Sequence, residues 1–305
     1  MNINTAIFRA TDGVELRGVI YKSDSKTNKI LISIHGMATN CIKKRDEVIA
    51  RKINNQGIDC LVFNNRGHDI VNYIKKEKEL MPELAGTAYE EISECYEDIL
   101  GAIKYTLEKG YTEIYLMGHS LGSTKIVFFY NKLINENKEL LSNLKSVILL
   151  SLVDIPLAIK VLLKEKYTSM VKYAKTMKDQ NMEKHLMPEE SFIYPISVKT
   201  FLRYALENED INFARYTDKE YDFKEINNIQ IPLLMRWGND KELIIQKADE
   251  LCEFLKTKIN NKNSNIGYID GADHSYHEKE ELLANEIVEF LLNINNTYFD
   301  KKEES

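Results

Sequence analysis

"EIYLMGHSLGSTKIVFFY", residues 113–130, decides the fold of this chain. The apolar run "EIYLMG" predicts a buried β-strand, and "LGSTKIVFFY" predicts a helix directly after it. Between them, residues 118–122 match G-x-S-x-G, a pattern that arises by chance in roughly one chain in ten of this length. Because the pattern lies here at a strand-to-helix junction, it predicts a sharp turn that presents Ser120 as a nucleophile above a sheet.

Strand and helix patterns alternate on both sides of this junction. Strands are predicted at 29–36, 58–65, 146–154, 231–238 and 265–271, and helices at 42–56, 89–109, 243–258 and 278–294. This alternation predicts an α/β fold with a doubly wound, mostly parallel sheet. Two further strand patterns flank Asp12 and Gly13 near the N-terminus, and an Asp-Gly pair between such runs predicts an antiparallel hairpin. Residues 66–88 carry no regular pattern.

The alternation breaks between residues 155 and 226, where the sequence is helical and rich in aromatic and methionine side chains. We expect a helical lid that is inserted at the C-terminal edge of the sheet, where open α/β sheets bind ligands. Its apolar side chains either line a pocket or pack the lid helices together. The expected organisation is a core of 1–154 and 227–297, a lid of 155–226 and a tail of 298–305.

Composition narrows the classes of function. The 305 residues are 44% hydrophobic and 29% charged, enough apolar content for a sizeable core, and the net charge of −6 disfavours a nucleic-acid partner. The first residues do not resemble a signal peptide, and no apolar run approaches the ~18 residues that span a bilayer. Four scattered cysteines predict reduced core thiols in a cytoplasmic protein, without a disulfide or a metal site: Cys41, Cys60, Cys95 and Cys252.

A serine hydroxyl becomes a good nucleophile only when a base takes its proton. On this type of sheet the expected order is Ser, then Asp or Glu, then His. His274 lies in the loop between the last predicted strand and the last helix and is the candidate base. His277, three residues on, is the alternative, and both histidines could instead be solvated loop residues.

The acid should follow the predicted strand "IPLLMRW". Asp240, two residues past Gly238, is the candidate, and Glu242 is the alternative. Asp240 could also serve only to cap the next helix. The oxyanion hole needs two backbone N–H donors, which we expect from Leu121, directly after the nucleophile, and from Met37, after the strand "ILISIHG".

Five segments together resemble the α/β-hydrolase superfamily of serine hydrolases, in order and over most of residues 10–295: "ILISIHGM", "NNRGHD", "MGHSLGS", "LLMRWGND" and "DGADHSYH". "GTAYEE" and "GHSLGSTK" also resemble a subgroup that includes some fungal siderophore esterases. The resemblance implies a triad of Ser120, Asp240 and His274, an oxyanion hole at Met37 and Leu121, and a lid after the strand that ends near residue 153. In one departure, Lys241 stands where the superfamily usually has its acid, three residues past the glycine.

The predicted function is hydrolysis of a carboxylic ester or thioester through an acyl-enzyme on Ser120. The expected partner of the protein is a small-molecule acyl substrate, and this reaction requires neither a cofactor nor a metal. The same fold also supports acyl transfer to an alcohol or amine, and cleavage of carbon–carbon bonds. A non-catalytic binding protein is the third hypothesis, and it predicts the loss of at least one member of the triad.

Overall fold

The computed structural model describes residues 2–207 and 210–303. The strands are β1 (Asn2–Arg9), β2 (Glu15–Lys22), β3 (Lys29–Ile34), β4 (Asp59–Asn64), β5 (Asn72–Ile74), β6 (Glu83–Ala85), β7 (Glu113–His119), β8 (Leu144–Leu150), β9 (Leu233–Gly238) and β10 (Ser264–Ile269). The α-helices are α1 (Lys44–Asn54), α2 (Cys95–Glu108), α3 (Leu121–Glu136), α4 (Ile155–Leu163), α5 (Tyr167–Asp179), α6 (Val198–Ala205), α7 (Lys224–Asn227), α8 (Ala248–Lys258) and α9 (Glu280–Glu303).

Eight strands form one sheet in the order β1-β2-β4-β3-β7-β8-β9-β10. β2 pairs antiparallel with both β1 and β4, and the remaining pairs are parallel. The sequence therefore predicted the mostly parallel sheet and its N-terminal antiparallel hairpin correctly. β5 and β6 form a separate small hairpin inside the stretch that carried no regular pattern.

Helices cover both faces of the sheet because its central strands are buried on both sides. One face packs under α2, α3 and α8, through apolar side chains that include Ile99, Phe129 and Leu255. The other face packs under α1 and α9, through side chains that include Ile53 and Ile287. Near-continuous apolar runs such as β3 and β8 are what a sheet covered on both faces requires.

A helical segment is inserted between β8 and β9, as the sequence predicted. Its helices α4, α5 and α6 enclose an apolar cluster of their own, which includes Ile159, Ala174 and Phe201. Residues 208 and 209 of this segment lie outside the described residues. None of the described helices has the length and apolar character needed to cross a membrane.

Several predicted boundaries move in the structure. The strand expected to reach residue 154 ends at Leu150, because the chain turns at Ser151 with φ 46°. The helix expected from Leu243 begins at Ala248, after an irregular loop. α9 runs on to Glu303, so residues 298–303, expected as a tail, continue that helix, and residues 304 and 305 lie outside the described residues.

Candidate active site

Ser120 lies at the turn between β7 and α3, with φ 56° and ψ −123°. This combination of a positive φ with a negative ψ is rare for a residue other than glycine and marks a strained backbone. The neighbouring glycines make the turn possible. A Cβ atom on Gly118 would lie 2.4 Å from the carbonyl oxygen of Gly122, and one on Gly122 would lie 2.2 Å from the carbonyl oxygen of Ile34.

Hydrogen bonds to the neighbouring strand hold this turn. The backbone N–H of Ser120 donates to the carbonyl of Leu150 at 2.8 Å. The Ser123 hydroxyl lies 2.8 Å from the carbonyl oxygen of Gly118 and 2.9 Å from that of Leu150. These hydrogen bonds fix the position of the strained turn and therefore the position of the Ser120 hydroxyl.

His274 lies in the loop between β10 and α9, as predicted. Its Nδ1 forms a hydrogen bond with Oε1 of Glu242. Its backbone carbonyl accepts a 2.6 Å hydrogen bond from Nε2–H of His119, the residue before Ser120. With Nδ1 as the donor to the carboxylate, Nε2 of His274 is left as the basic nitrogen.

Glu242 is the carboxylate that contacts the ring of His274. Its side chain is only 2% exposed. Oε2 accepts hydrogen bonds from the Ser151 hydroxyl at 2.7 Å and from the backbone N–H of Gly238 at 3.0 Å. Burial by itself would raise the pKa of Glu242, but the hydrogen bonds that the carboxylate accepts, first among them the one from His274, hold this pKa below its usual value.

The structure does not bring Asp240, the predicted orienting acid, into contact with His274. The Asp240 side chain is 58% exposed and lies 4.0 Å from the amine of Lys241. Its backbone N–H donates to the carbonyl of Ala272, which keeps the start of the loop beside β10. Lys241 then adopts φ 51°, and the chain reverses so that the next side chain, Glu242, points inward. Glu242, the alternative to Asp240, is therefore the carboxylate that reaches His274.

His277, the alternative base, does not contact Glu242. Its Nδ1 pairs with Oδ2 of Asp273 at 2.7 Å, and its side chain is 72% exposed. It remains on the wall of the same cavity as Ser120 and His274. The structure therefore distinguishes His274, which contacts Glu242, from His277, which contacts Asp273. The sequence spacing alone did not distinguish them.

The two expected oxyanion donors, Leu121 and Met37, come from different segments of the chain. Leu121 begins α3, where the first N–H groups of a helix have no partner within the helix. Met37 follows Gly36, whose close approach to the turn leaves only 3.1 Å between a Cβ placed there and the Cβ of Ser120. Both residues line the cavity that contains Ser120.

His35 fixes the peptide group that carries the Met37 N–H. Nε2 of His35 accepts a hydrogen bond from the backbone N–H of Asn65 at 3.2 Å, so Nδ1 carries the proton and donates to the carbonyl of Gly36 at 2.9 Å. Burial lowers the pKa of His35 to about 3, which keeps the ring neutral and this arrangement intact. Because the Gly36 carbonyl and the Met37 N–H share one peptide plane, this contact sets the direction of the N–H.

A cavity of about 450 Å³ opens onto Ser120 and His274. Much of its apolar wall comes from the inserted segment, through α4 and residues 192–194. His119 and Ser151, which hold His274 and Glu242 in place, were not singled out as part of the site from the sequence. The sequence spacing gives no indication of this role, because both residues act through contacts between distant segments.

The sheet order, the helices on both faces and the turn at Ser120 are those of an α/β-hydrolase, and solved structures agree. Est1E from Butyrivibrio proteoclasticus, with bound ferulic acid, has a TM-score of 0.64 at 17% identity, over 95% of this chain and 100% of that one. The α/β-hydrolase GrgF from Penicillium sp. sh18 has a TM-score of 0.64 at 14% identity, over 95% and 98%. A soluble variant of monoglyceride lipase from Saccharomyces cerevisiae, bound to a substrate analogue, has a TM-score of 0.64 at 13% identity, over 94% of each chain.

These identities are low, so the likeness establishes the fold and no more. The chain has the α/β-hydrolase fold. It belongs to the DUF1749 family, described as a protein of unknown function, which matches residues 85–294. No curated protein matches the chain.

Proposed function

We propose that this protein is a serine hydrolase of carboxylic esters or thioesters, with Ser120 as nucleophile, His274 as general base and Glu242 as orienting acid. The observation that carries the proposal is the buried Glu242 carboxylate on Nδ1 of His274, in a ring that lines the same cavity as Ser120. A carboxylate in that position fixes the ring tautomer and stabilises the imidazolium that forms during the reaction.

The reaction follows from these roles. His274 Nε2 takes the proton of the Ser120 hydroxyl as its oxygen attacks the carbonyl carbon of the substrate. The N–H groups of Met37 and Leu121 bind the oxyanion of the tetrahedral intermediate. The imidazolium then protonates the leaving alcohol or thiol, which departs and leaves an acyl-enzyme. Water, deprotonated by His274, attacks the acyl group and releases the acid.

The inserted segment, 155–226, acts in this proposal as a lid that sets which acyl groups enter. Ile155, Ile159 and Leu162 of this segment line the cavity together with Phe192 and Ile193. Apolar walls with a few polar groups at the reacting centre are typical of small-molecule sites. The resemblance of "GTAYEE" to a subgroup that includes siderophore esterases stays a prediction. Four buried free thiols fit the predicted cytoplasmic location.

Labelling with a fluorophosphonate probe tests the nucleophile. We expect the wild-type protein to be labelled on Ser120, because the probe reacts with an activated serine, and Ser120→Ala to remain unlabelled. Ser123→Ala is the matched control, because that hydroxyl lies one helical turn away and is buried among backbone carbonyls. Folded wild-type protein that takes up no label, or label that persists in Ser120→Ala, would exclude the proposed role.

A further inference from the structure

Three consecutive cations stand at the N-terminus of α1: Lys43 is its N-cap, and Lys44 and Arg45 are its first two residues. The N-terminus of a helix carries partial positive charge and favours acidic side chains, which Asp46 and Glu47 provide in the first turn, whereas the three cations before them are unfavourable for the helix. Lys43 also provides no side-chain cap for the first N–H groups of the helix. Helix stability therefore does not explain these three residues.

Arg45 is the unusual member of the group, because it is buried. Its side chain is 8% exposed, and Nη2 donates to Oδ2 of Asp46 at 3.0 Å. Its Nε–H is buried and has no hydrogen-bond partner among the described residues. A buried arginine normally satisfies its donors, and an unsatisfied one costs stability. The Asp46 carboxylate also accepts a hydrogen bond from the Ser33 hydroxyl at 3.0 Å, so its charge is shared.

All three cations line the cavity that contains Ser120 and His274. Lys44 pairs with Glu280 at 3.0 Å, and Asp46 offsets the charge of Arg45, so Lys43 supplies the net positive charge of this wall. The apolar part of the lining comes mainly from α4, residues 192–193 and Leu243. The cavity that contains Ser120 is thus lined by both basic and apolar side chains.

We propose that the substrate carries a carboxylate, which binds the basic wall at Lys43, Arg45 and the first N–H groups of α1 while the ester carbonyl lies at Ser120. The inference deepens the proposed hydrolase function and rests on it. A helix N-terminus beside an arginine is a suitable anion site, because backbone N–H groups, the helix dipole and charge-assisted hydrogen bonds act together. The apolar wall then receives the acyl chain.

Binding to Ser120→Ala protein, measured by calorimetry, tests this without turnover. The probes are 4-carboxyphenyl butyrate and its methyl ester, which differ by one negative charge. We expect the carboxylate to bind about tenfold more tightly than the methyl ester, as for a hydrogen bond to a charged group. In the Ser120→Ala protein, the further substitution Lys43→Glu should remove the preference for the carboxylate probe. Lys43 is exposed, so its side chain can change without affecting the core. Arg45→Gln should weaken binding of the carboxylate and spare the methyl ester.

Lys104→Glu is the matched control, because Lys104 is an exposed lysine on α2 outside the cavity. It changes net charge equally and should keep the preference. Equal binding of the two probes, binding of neither, or an unchanged preference in Lys43→Glu would overturn the carboxylate site. Fluorophosphonate labelling of Ser120 would then still stand, so failure of this proposal and failure of the hydrolase proposal give different results.

Discussion

At the scale of single residues, a backbone turn decides which carboxylate reaches His274. Lys241 adopts φ 51°, a conformation that costs a lysine about 1 kcal/mol or more. The turn leaves Asp240 in solvent and directs Glu242 toward His274, and glutamate has the extra methylene that the longer path needs. The hydrogen bonds that Glu242 accepts from the side chains of His274 and Ser151 and from the N–H of Gly238 compensate for the strained residue.

Replacing each acid by its amide distinguishes the two candidates. We expect Glu242→Gln to lower kcat for a short 4-nitrophenyl ester by roughly 10³–10⁴-fold, because an amide cannot hold the same tautomer of His274 or stabilise the imidazolium. Asp240→Asn should leave kcat within about twofold, since that side chain is exposed. The opposite ranking, with Asp240→Asn inactive and Glu242→Gln active, would return the role to Asp240.

The sequence indicated some parts of the site and missed others for physical reasons. The positions of Ser120 and His274 in the fold could be predicted because each follows a strong strand pattern, in a loop whose position the sheet fixes. The carboxylate that contacts His274 could not be predicted, because its loop depends on a positive φ at Lys241, which lysine rarely adopts and which no local pattern indicates. His119 and Ser151 act through contacts that only the folded chain brings together.

At the scale of the elements, α4 connects the core to the cavity wall. Asp154 is its N-cap and accepts a hydrogen bond from the N–H of Leu157 at 3.2 Å. Burial raises the pKa of Asp154 to about 6, and the charge of Glu207 adds to this. Arg215 and Lys160 oppose the shift. The ionised cap is therefore favourable for the helix and costly for the protein interior.

The stability of the protein should respond to the pH at this cap. A native pKa above the unfolded value means that the folded state binds the proton more tightly, so this group's contribution falls as pH rises from about 4 to about 6 and stays constant above. Asp154→Asn keeps an oxygen acceptor for Leu157 and removes the charge. Relative to wild type, the free energy of unfolding of Asp154→Asn should rise by at most about 3 kcal/mol between about pH 4 and about pH 6, at 1.36 kcal/mol per pKa unit.

Urea denaturation at pH 4.5, 5.5 and 7 measures this difference. Asp179→Asn, at the exposed end of α5, is the control for loss of one carboxylate and should show a constant offset. A difference between Asp154→Asn and wild type that does not change with pH would mean that Asp154 titrates normally.

At the scale of the whole molecule, a buried ion pair and two hydrogen bonds at Glu90 connect α3 to helix α6 of the inserted segment. Lys125 of α3 pairs with Glu90, and both side chains are at most 1% exposed. Glu90 accepts a hydrogen bond from the Tyr204 hydroxyl of α6 at 3.1 Å, and its carbonyl accepts one from the Thr200 hydroxyl at 3.2 Å. The residues around Glu90, 86–91, form the "GTAYEE" segment, so the structure gives this stretch a role in attaching α6 to the core.

Breaking this pair should cost more than removing it. Glu90→Gln leaves the Lys125 ammonium buried without its counter-charge, and we expect a loss of about 3–5 kcal/mol in the free energy of unfolding. The double variant Glu90→Gln with Lys125→Met removes both charges, and it should recover a large part of that loss because the two sites interact directly. Urea denaturation of wild type, both single variants and the double variant provides the cycle. Losses that simply add would show that the ion pair contributes nothing to the junction, and that α6 is held to the core by its apolar contacts alone.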